Sequence, residues 1–124
     1  MRLETISLLE DIREAGALIA SFVAGKSFED FRRDALLRSG LERQLEIAGE
    51  ALRCLHREDR GIAAGLENYQ RFMLYRNTLA HDYRAADDRL TWDAAAVRLP
   101  RLIEQVTALI ASSEKGSESG PNAI

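Results

Sequence analysis

A run of leucines at helical spacing restricts the possible folds of this chain most strongly. This spacing keeps to the 3.6-residue period of an α-helix over five turns and places one apolar stripe along it. Gly40 either breaks this helix or lies within it, since an interior glycine costs only about 1 kcal/mol relative to alanine. The pattern predicts a central core helix whose stripe other helices must cover. The stripe consists of Leu37, Leu41, Leu45, Ala48, Leu52 and Leu55.

The N-terminal part of the chain predicts a second amphipathic helix. Its apolar residues recur every three or four positions from Arg2 to about Val23, and the helix is expected to end near Gly25. The following "SFED", Ser27 to Asp30, is typical of a capping box, in which a serine hydroxyl and an acidic side chain bond reciprocally to backbone amides. A further helical stretch is therefore expected to begin at this point.

The second half of the chain predicts two more helices. Residues 56–65 lose the apolar period and indicate a loop with one helical turn. Asn68 is a plausible N-cap for a third long helix. Residues 84–90, "RAADDRL", are interpreted as a short loop, after which Thr91 would cap the last helix. Pro100 lies inside that helix and is expected to bend it.

These segments together predict an all-α fold. Sustained alternation of apolar and polar residues is missing from the sequence, as are Asn-Gly and Asp-Gly hairpin signals. We expect an up-and-down bundle of four to five helices. Residues 1–111 would form a single domain, and residues 112–124, which offer little to bury, would be a disordered tail.

Composition limits the compartment and the class of partner. The single Cys54 can form no internal disulfide, and no run approaches the roughly 18 apolar residues of a membrane helix. A soluble, cytoplasmic protein without a membrane partner is expected. The net charge of -3 argues against binding a polyanion through bulk charge, but fifteen of the seventeen basic residues are arginine. Since the guanidinium fork suits phosphate, local arginine placement matters more than net charge.

The stretch "YRNTLAHDYR", residues 75–84, concentrates the reactive side chains. On a regular helix Arg76 and Tyr83 are seven residues apart and share a face, whereas His81 points some 140° away from Arg76 at about 100° per residue. One straight helix cannot aim both at a single atom. Either the helix ends or distorts near Ala80, or a second copy of the chain completes the site across a two-fold axis.

An arginine and a histidine in one cleft could cleave RNA without a metal. A histidine can transfer the protons of the 2′-hydroxyl and of the departing 5′-oxygen, because its pKa of about 6.5 lies near working pH. An arginine supplies permanent charge and paired donors for the phosphate. Spacing alone is also compatible with a non-catalytic role, in which Arg76 is a surface ion-pair partner and His81 is a helix C-terminal residue.

Other chemistries fit the sequence less well. His56 and His81 are twenty-five residues apart and no HExxH motif occurs, so we predict no metal site and no cofactor. Asp82, Asp87 and Asp88 are interpreted as solvated loop acids. Cys54, on the leucine-rich helix, is expected to be a buried and inert thiol. His56 is expected to be a helix-end residue without a catalytic role, and the chain has no glycine-rich phosphate loop.

The motif and its surroundings resemble a known family. "RNTLAHDY" is similar to the R-x4-H-x-Y signature of HepT-like proteins, minimal members of the all-helical HEPN superfamily. "LERQLEIAGEAL" resembles the stretch on the preceding helix of that family that ends in an Ile-Gly-Glu-Ala type sequence, and "LTWDAA" resembles the start of its last helix. The resemblance spans roughly residues 3 to 110 in order.

The resemblance implies a homodimeric, metal-independent endoribonuclease that acts as the toxin of a toxin-antitoxin pair on an RNA substrate. Arg76 would stabilise the phosphate, His81 would be the acid and base, and Asn77 would support them. The antitoxin would be a minimal nucleotidyltransferase that transfers AMP to the hydroxyl of Tyr83. Added phosphates would bring negative charge into the cleft and exclude the RNA backbone.

Two alternatives remain open from the sequence. The same helices could form a non-catalytic subunit that presents substrate or nucleotide to a separate nucleotidyltransferase. The chain could also be a helical dimerisation domain whose motif merely caps a helix. An intact set of Arg76, His81 and Tyr83 favours catalysis over both.

Overall fold

The computed structural model of the chain describes the backbone of residues 1–74 and 84–122, and the side chains of residues 1–74 and 88–114. All regular structure in these ranges is helical, which confirms the predicted all-α class. In chain order the elements are α1 (Leu3–Val23), α2 (Phe28–Arg33), α3 (Ala35–Glu58), α4 (Arg60–Ala64), α5 (Tyr69–Met73), α6 (Arg84–Trp92), a π-helical segment (Asp93–Arg98) and α7 (Leu99–Asn122).

The core lies where α1, α3 and α7 pack together. The apolar stripes predicted from the helical period supply most of it, because α1 packs against both α3 and α7. Gly40 lies within α3, so the second of the two expectations for it is confirmed. The large apolar side chains of these three helices that are almost fully buried are Leu9, Ile12, Ile19, Leu41, Leu45, Leu52, Leu55, Leu99, Leu102, Val106 and Ile110.

A close approach between α1 and α7 depends on one glycine. A Cβ added at Gly16 would lie 2.3 Å from Cδ1 and 2.5 Å from Cγ1 of Ile103. These distances are far inside van der Waals contact, so only a residue without a side chain lets Ile103 pack against the α1 backbone.

The ends of the first helices follow the sequence predictions. α1 is followed by Gly25, whose φ of 71° lies in the left-handed region that glycine adopts without penalty. The Asp30 amide donates to the Ser27 hydroxyl at 3.1 Å, and the Ser27 amide donates to the Asp30 carboxylate at 2.9 Å. The predicted capping box is therefore confirmed. Hydrogen bonding of the Ser27 amide and then of the Ser27 hydroxyl to the Asp30 carboxylate holds the pKa of Asp30 below its usual range, because it stabilises the ionised form.

The segment predicted as a loop with one helical turn is more helical than expected. α3 continues to Glu58, and α4 begins two residues later. Only Asp59 interrupts the helices, because its carboxylate caps α4 by accepting from the Ile62 amide at 3.2 Å. The hydroxyl of Thr5, a fully buried residue of α1, donates to the other Asp59 oxygen at 3.5 Å.

The interpretation of residues 84–90 as a loop was wrong. They form most of α6, and Thr91 is a nearly buried residue inside that helix, not its N-cap. Its two alanines, Ala85 and Ala86, have high helix propensity. The polar composition of "RAADDRL" suggested a loop, but its residues form a helix.

The last helix is irregular before Pro100, while the bend expected at this proline stays a prediction. The irregularity takes the form of the π-helical segment, in which the Leu99 amide donates to the carbonyl of Ala94, five residues back. Proline has no amide hydrogen and its ring excludes the regular bond, so a wider turn next to it relieves the mismatch. The α7 backbone is helical through Asn122 and so includes most of the predicted tail, while the domain boundary at residue 111 stays a prediction.

No helix in the described part of the chain combines the length and apolar character that a membrane span requires.

Candidate functional site

The four residues predicted for the site lie between two described helices. Arg76, Asn77, His81 and Tyr83 fall within residues 75–83, outside the described residues, so their mutual geometry stays a prediction. The third helix, predicted to be long, is short: α5 ends at Met73, and Leu74 adopts a turn. The structure therefore describes how the chain enters the motif from α5 and how it leaves the motif into α6.

The entry side rests on α5, which α3 holds in place. Phe72 is 1% exposed and joins the core. The Tyr69 ring stacks on the His56 ring of α3, with centroids 5.8 Å apart and planes at 25°. Asn68 precedes α5 as expected, but its φ of 62° is left-handed and its side chain makes no capping bond. Asn68 is therefore the N-cap residue, as predicted, but contacts from α3 and not its side chain hold the helix.

A guanidinium from α3 binds the last residue of α5. Arg53 Nη1 donates to the Met73 carbonyl oxygen. Its Nε and Nη2 donate to one Glu50 carboxylate oxygen at 2.9 Å and 2.7 Å. The Arg53 hydrogen bond and charge hold the pKa of Glu50 below its usual range, because both favour the carboxylate over the acid. We call these three residues, Glu50, Arg53 and Met73, the α5 clasp.

The exit side rests on contacts between α6 and α2. The rings of Phe31 and Trp92 lie 5.5 Å apart, and the Arg89 guanidinium carbon lies 4.7 Å from the centroid of the Phe28 ring. Such a cation over an aromatic face is attracted by the ring quadrupole. Asp88 is 7% exposed, so our interpretation of it as a solvated loop acid was wrong. α6 is thus packed against the bundle shortly after the motif.

Among the described side chains no group of three or more histidines, cysteines and acids could hold a metal ion. Cys54 was expected to be buried but is partly exposed, and Arg57 Nη2 lies 3.3 Å from its sulfur. It lines an open groove between the start of α1 and the end of α3, together with Leu3, Glu4, Ser7, Leu8, Arg57 and Glu58.

Comparison with known proteins identifies the family. The family model described as "Ribonuclease HepT-like" matches residues 12–109. The chain belongs to the HepT-like ribonuclease family. The matched range includes both described flanks and the whole R-x4-H-x-Y motif between them. The family resemblance inferred from "RNTLAHDY" is therefore confirmed, together with its helical fold.

Three curated relatives share this part of the chain. A candidate RNase of Caldanaerobacter subterraneus subsp. tengcongensis is 31% identical over 102 residues, 82% of this chain and 90% of that protein. A probable ribonuclease HepT of Thermococcus cleftensis is 32% identical over 94 residues, 76% of this chain and 84% of that protein. A Methanocaldococcus jannaschii protein named as a gamma-glutamylcyclotransferase and candidate RNase is 27% identical over 98% of this chain, which spans only 54% of that protein. No solved structure matches the chain significantly.

Sequence reasoning did not find the α5 clasp. Glu50 and Arg53 are three residues apart on α3, a spacing that predicts an ion pair on one helix face. The contact of Arg53 with the Met73 carbonyl joins residues twenty positions apart. It depends on where α5 ends and on how it packs against α3, which periodicity alone does not specify.

Proposed function

We propose that this protein is a metal-independent endoribonuclease and acts as the toxin of a toxin-antitoxin pair. The observation that carries the proposal is the family match over residues 12–109, within which Arg76, His81 and Tyr83 retain the complete family motif. Two relatives are named as RNases, and the match covers most of the length of each. Their names support RNA as the substrate class.

The reaction requires no cofactor. His81 takes the proton of the RNA 2′-hydroxyl as the 2′-oxygen attacks phosphorus, the bond from phosphorus to the 5′-oxygen breaks, and an imidazolium gives the leaving oxygen its proton. Arg76 neutralises the charge that builds up on the phosphorane oxygens. The products are a 2′,3′-cyclic phosphate and a 5′-hydroxyl, so DNA, which lacks the 2′-hydroxyl, is not cut.

The proposed active form is a homodimer with its site at the two-fold axis. In an isologous pair the two copies bring two Arg76 and two His81 around one cleft, so one histidine can act as base and the other as acid. Asn77 is assigned a supporting role beside Arg76. Dimerisation also offers a way to bring together side chains that a single straight helix would point apart.

The cleavage experiment uses purified protein and end-labelled RNA with EDTA present. The wild type is expected to cut and to leave cyclic phosphate ends, while Arg76→Ala and His81→Ala lose about 10²-fold or more of the rate, the usual contribution of acid-base or charge stabilisation. Arg13→Ala, which changes an exposed arginine of α1, is the matched control and retains activity.

Three outcomes would each contradict one part of this proposal. Uncut RNA with folded wild-type protein favours the non-catalytic binding subunit, particularly if the protein still forms a complex with a nucleotidyltransferase. Loss of activity only after EDTA treatment contradicts metal independence. Variants that alter thermal stability without altering cleavage favour a purely structural role for the motif.

The proposed antitoxin is a nucleotidyltransferase-type protein that AMPylates Tyr83. Incubation of the chain with such a partner and ATP is expected to add the mass of one or more AMP groups to the wild type and none to Tyr83→Phe. The modified protein would lose RNA cleavage, because the new phosphates compete with RNA for Arg76. An unchanged mass of wild-type protein in a stable complex would argue against this regulation.

A further inference from the structure

We propose that Arg53 is a positioning residue, which fixes the end of α5 through the Met73 carbonyl and so determines where the chain enters the R-x4-H-x-Y motif. This inference rests on the proposed function for its effect on cleavage, but its effect on α5 can be measured independently. α5 has only five residues.

A helix of this length has almost no stability of its own. Helices shorter than about 12 residues are marginal in water, and the last four carbonyls of any helix lack intrahelical partners. α5 therefore depends on tertiary contacts for its position and on outside donors for its C-terminal carbonyls. Arg53 supplies such a donor to Met73, and its positive charge meets the negative end of the helix dipole.

Glu50 orients the arginine for this contact. Two of its donors bind Glu50, so the planar guanidinium has a defined orientation and Nη1 is directed at α5. Arg53 is 31% exposed, compared with 70% for Arg43, whose Nη1 lies 3.9 Å from Glu46 on the same helix. The α5 clasp is therefore more than a surface ion pair, because Arg53 also binds the backbone carbonyl of Met73 in another helix.

The clasp lies close to the motif along the chain. Met73 precedes Arg76 by three residues, and three residues of fully extended chain span at most about 11 Å. A displacement of the Met73 carbonyl is therefore transmitted to the phosphate-binding arginine through a short tether. A misplacement of about 1 Å can cost about 10²-fold in rate even when the altered residue does not touch the substrate.

The experiment compares Arg53→Met, which keeps the apolar stem and removes the donors, with Arg43→Met as a matched control. Hydrogen-deuterium exchange is followed for peptides from α5 and from α1, and kcat and KM are measured for RNA cleavage. For Arg53→Met we expect about tenfold faster exchange in α5, unchanged exchange in α1, and a kcat reduced about 10- to 100-fold with KM within about threefold. Arg43→Met should match the wild type in every measurement.

Two further variants distinguish loss of the Arg53 contact from general unfolding of the protein. Arg53→Lys keeps the charge without the fork and should recover part of the kcat, and Glu50→Gln should loosen α5 less than Arg53→Met does. The inference is overturned if Arg53→Met leaves α5 exchange at the wild-type rate, or if exchange rises equally in α1. An inactive wild type would refute the nuclease proposal alone, since α5 exchange would still decide whether Arg53 holds the helix.

Discussion

α1 and α5 both pack against α3, but different forces hold them there. α1 contributes a long apolar stripe to the core, including Leu9, Ile12 and Ile19. α5 has only five residues: Phe72 is buried in the core, and Tyr69 and Met73 pack against it partly buried. A ring stack and the clasp from Arg53 add directed contacts. Apolar burial is non-directional and grows with area, whereas hydrogen bonds define orientation. The contacts of α3 with α1 therefore stabilise the bundle, and its contacts with α5 define the path of the chain into the motif.

Removing apolar volume from the core tests this division most directly. Leu45 is 1% exposed, so Leu45→Ala is expected to lower the free energy of unfolding by about 2–5 kcal/mol in urea titrations, from lost burial and the cavity left behind. Leu36 in the first turn of α3 is 84% exposed, and Leu36→Ala is expected to change it by less than about 0.5 kcal/mol. Equal effects of the two variants would show that the core does not carry the stability.

A second test adds volume to the contact between α1 and α7. Gly16→Ala places a methyl group against Ile103, so we expect a loss of about 1–3 kcal/mol in the free energy of unfolding. The control is Gly61→Ala in α4, where the nearest atom to the new Cβ is a carboxylate oxygen 3.9 Å away. There alanine fits and should stabilise by up to about 1 kcal/mol, because it favours helix over glycine. A neutral Gly16→Ala would mean that Ile103 repacks at no cost.

The same contrast explains which features the sequence could predict. The long helices α1, α3 and α7 follow from apolar period, since burying a continuous stripe dominates their stability. The capping box at Ser27 followed from a local pattern with a local bond. α6 was not predicted, because its polar residues were interpreted as a loop. The helix packs on α2 through Trp92 at its end.

The candidate site divides in the same way. The motif could be recognised because its residues are contiguous and chemically distinctive. The support from Arg53 could not, because a bond to a backbone carbonyl imposes no requirement on the side chain of Met73. Nor could the end of α5 at Met73 be foreseen, since helix-favouring residues continue beyond it and tertiary packing decides where the helix stops.

The smallest expected effect is a pH dependence confined to the clasp. The pKa of Glu50 is lowered in the folded protein from its ordinary value of 4.5, chiefly by its hydrogen bond to Arg53. A lowered folded pKa means that the pair stabilises the fold above the ordinary value, and that this contribution is lost as pH falls through the folded pKa. The stability advantage of the wild type over Glu50→Gln should therefore be present at neutral pH and vanish in acid.

Paired urea titrations of the two proteins between neutral pH and about pH 3 measure this difference, and the subtraction removes carboxylates common to both. Asp30, whose pKa is also lowered, titrates in both proteins and so cancels. We expect only a small difference at neutral pH, because Glu50 lies at the surface and water screens the pair. An advantage that persisted undiminished in acid would show that the Glu50 charge does not hold Arg53, leaving packing alone to orient the guanidinium toward α5.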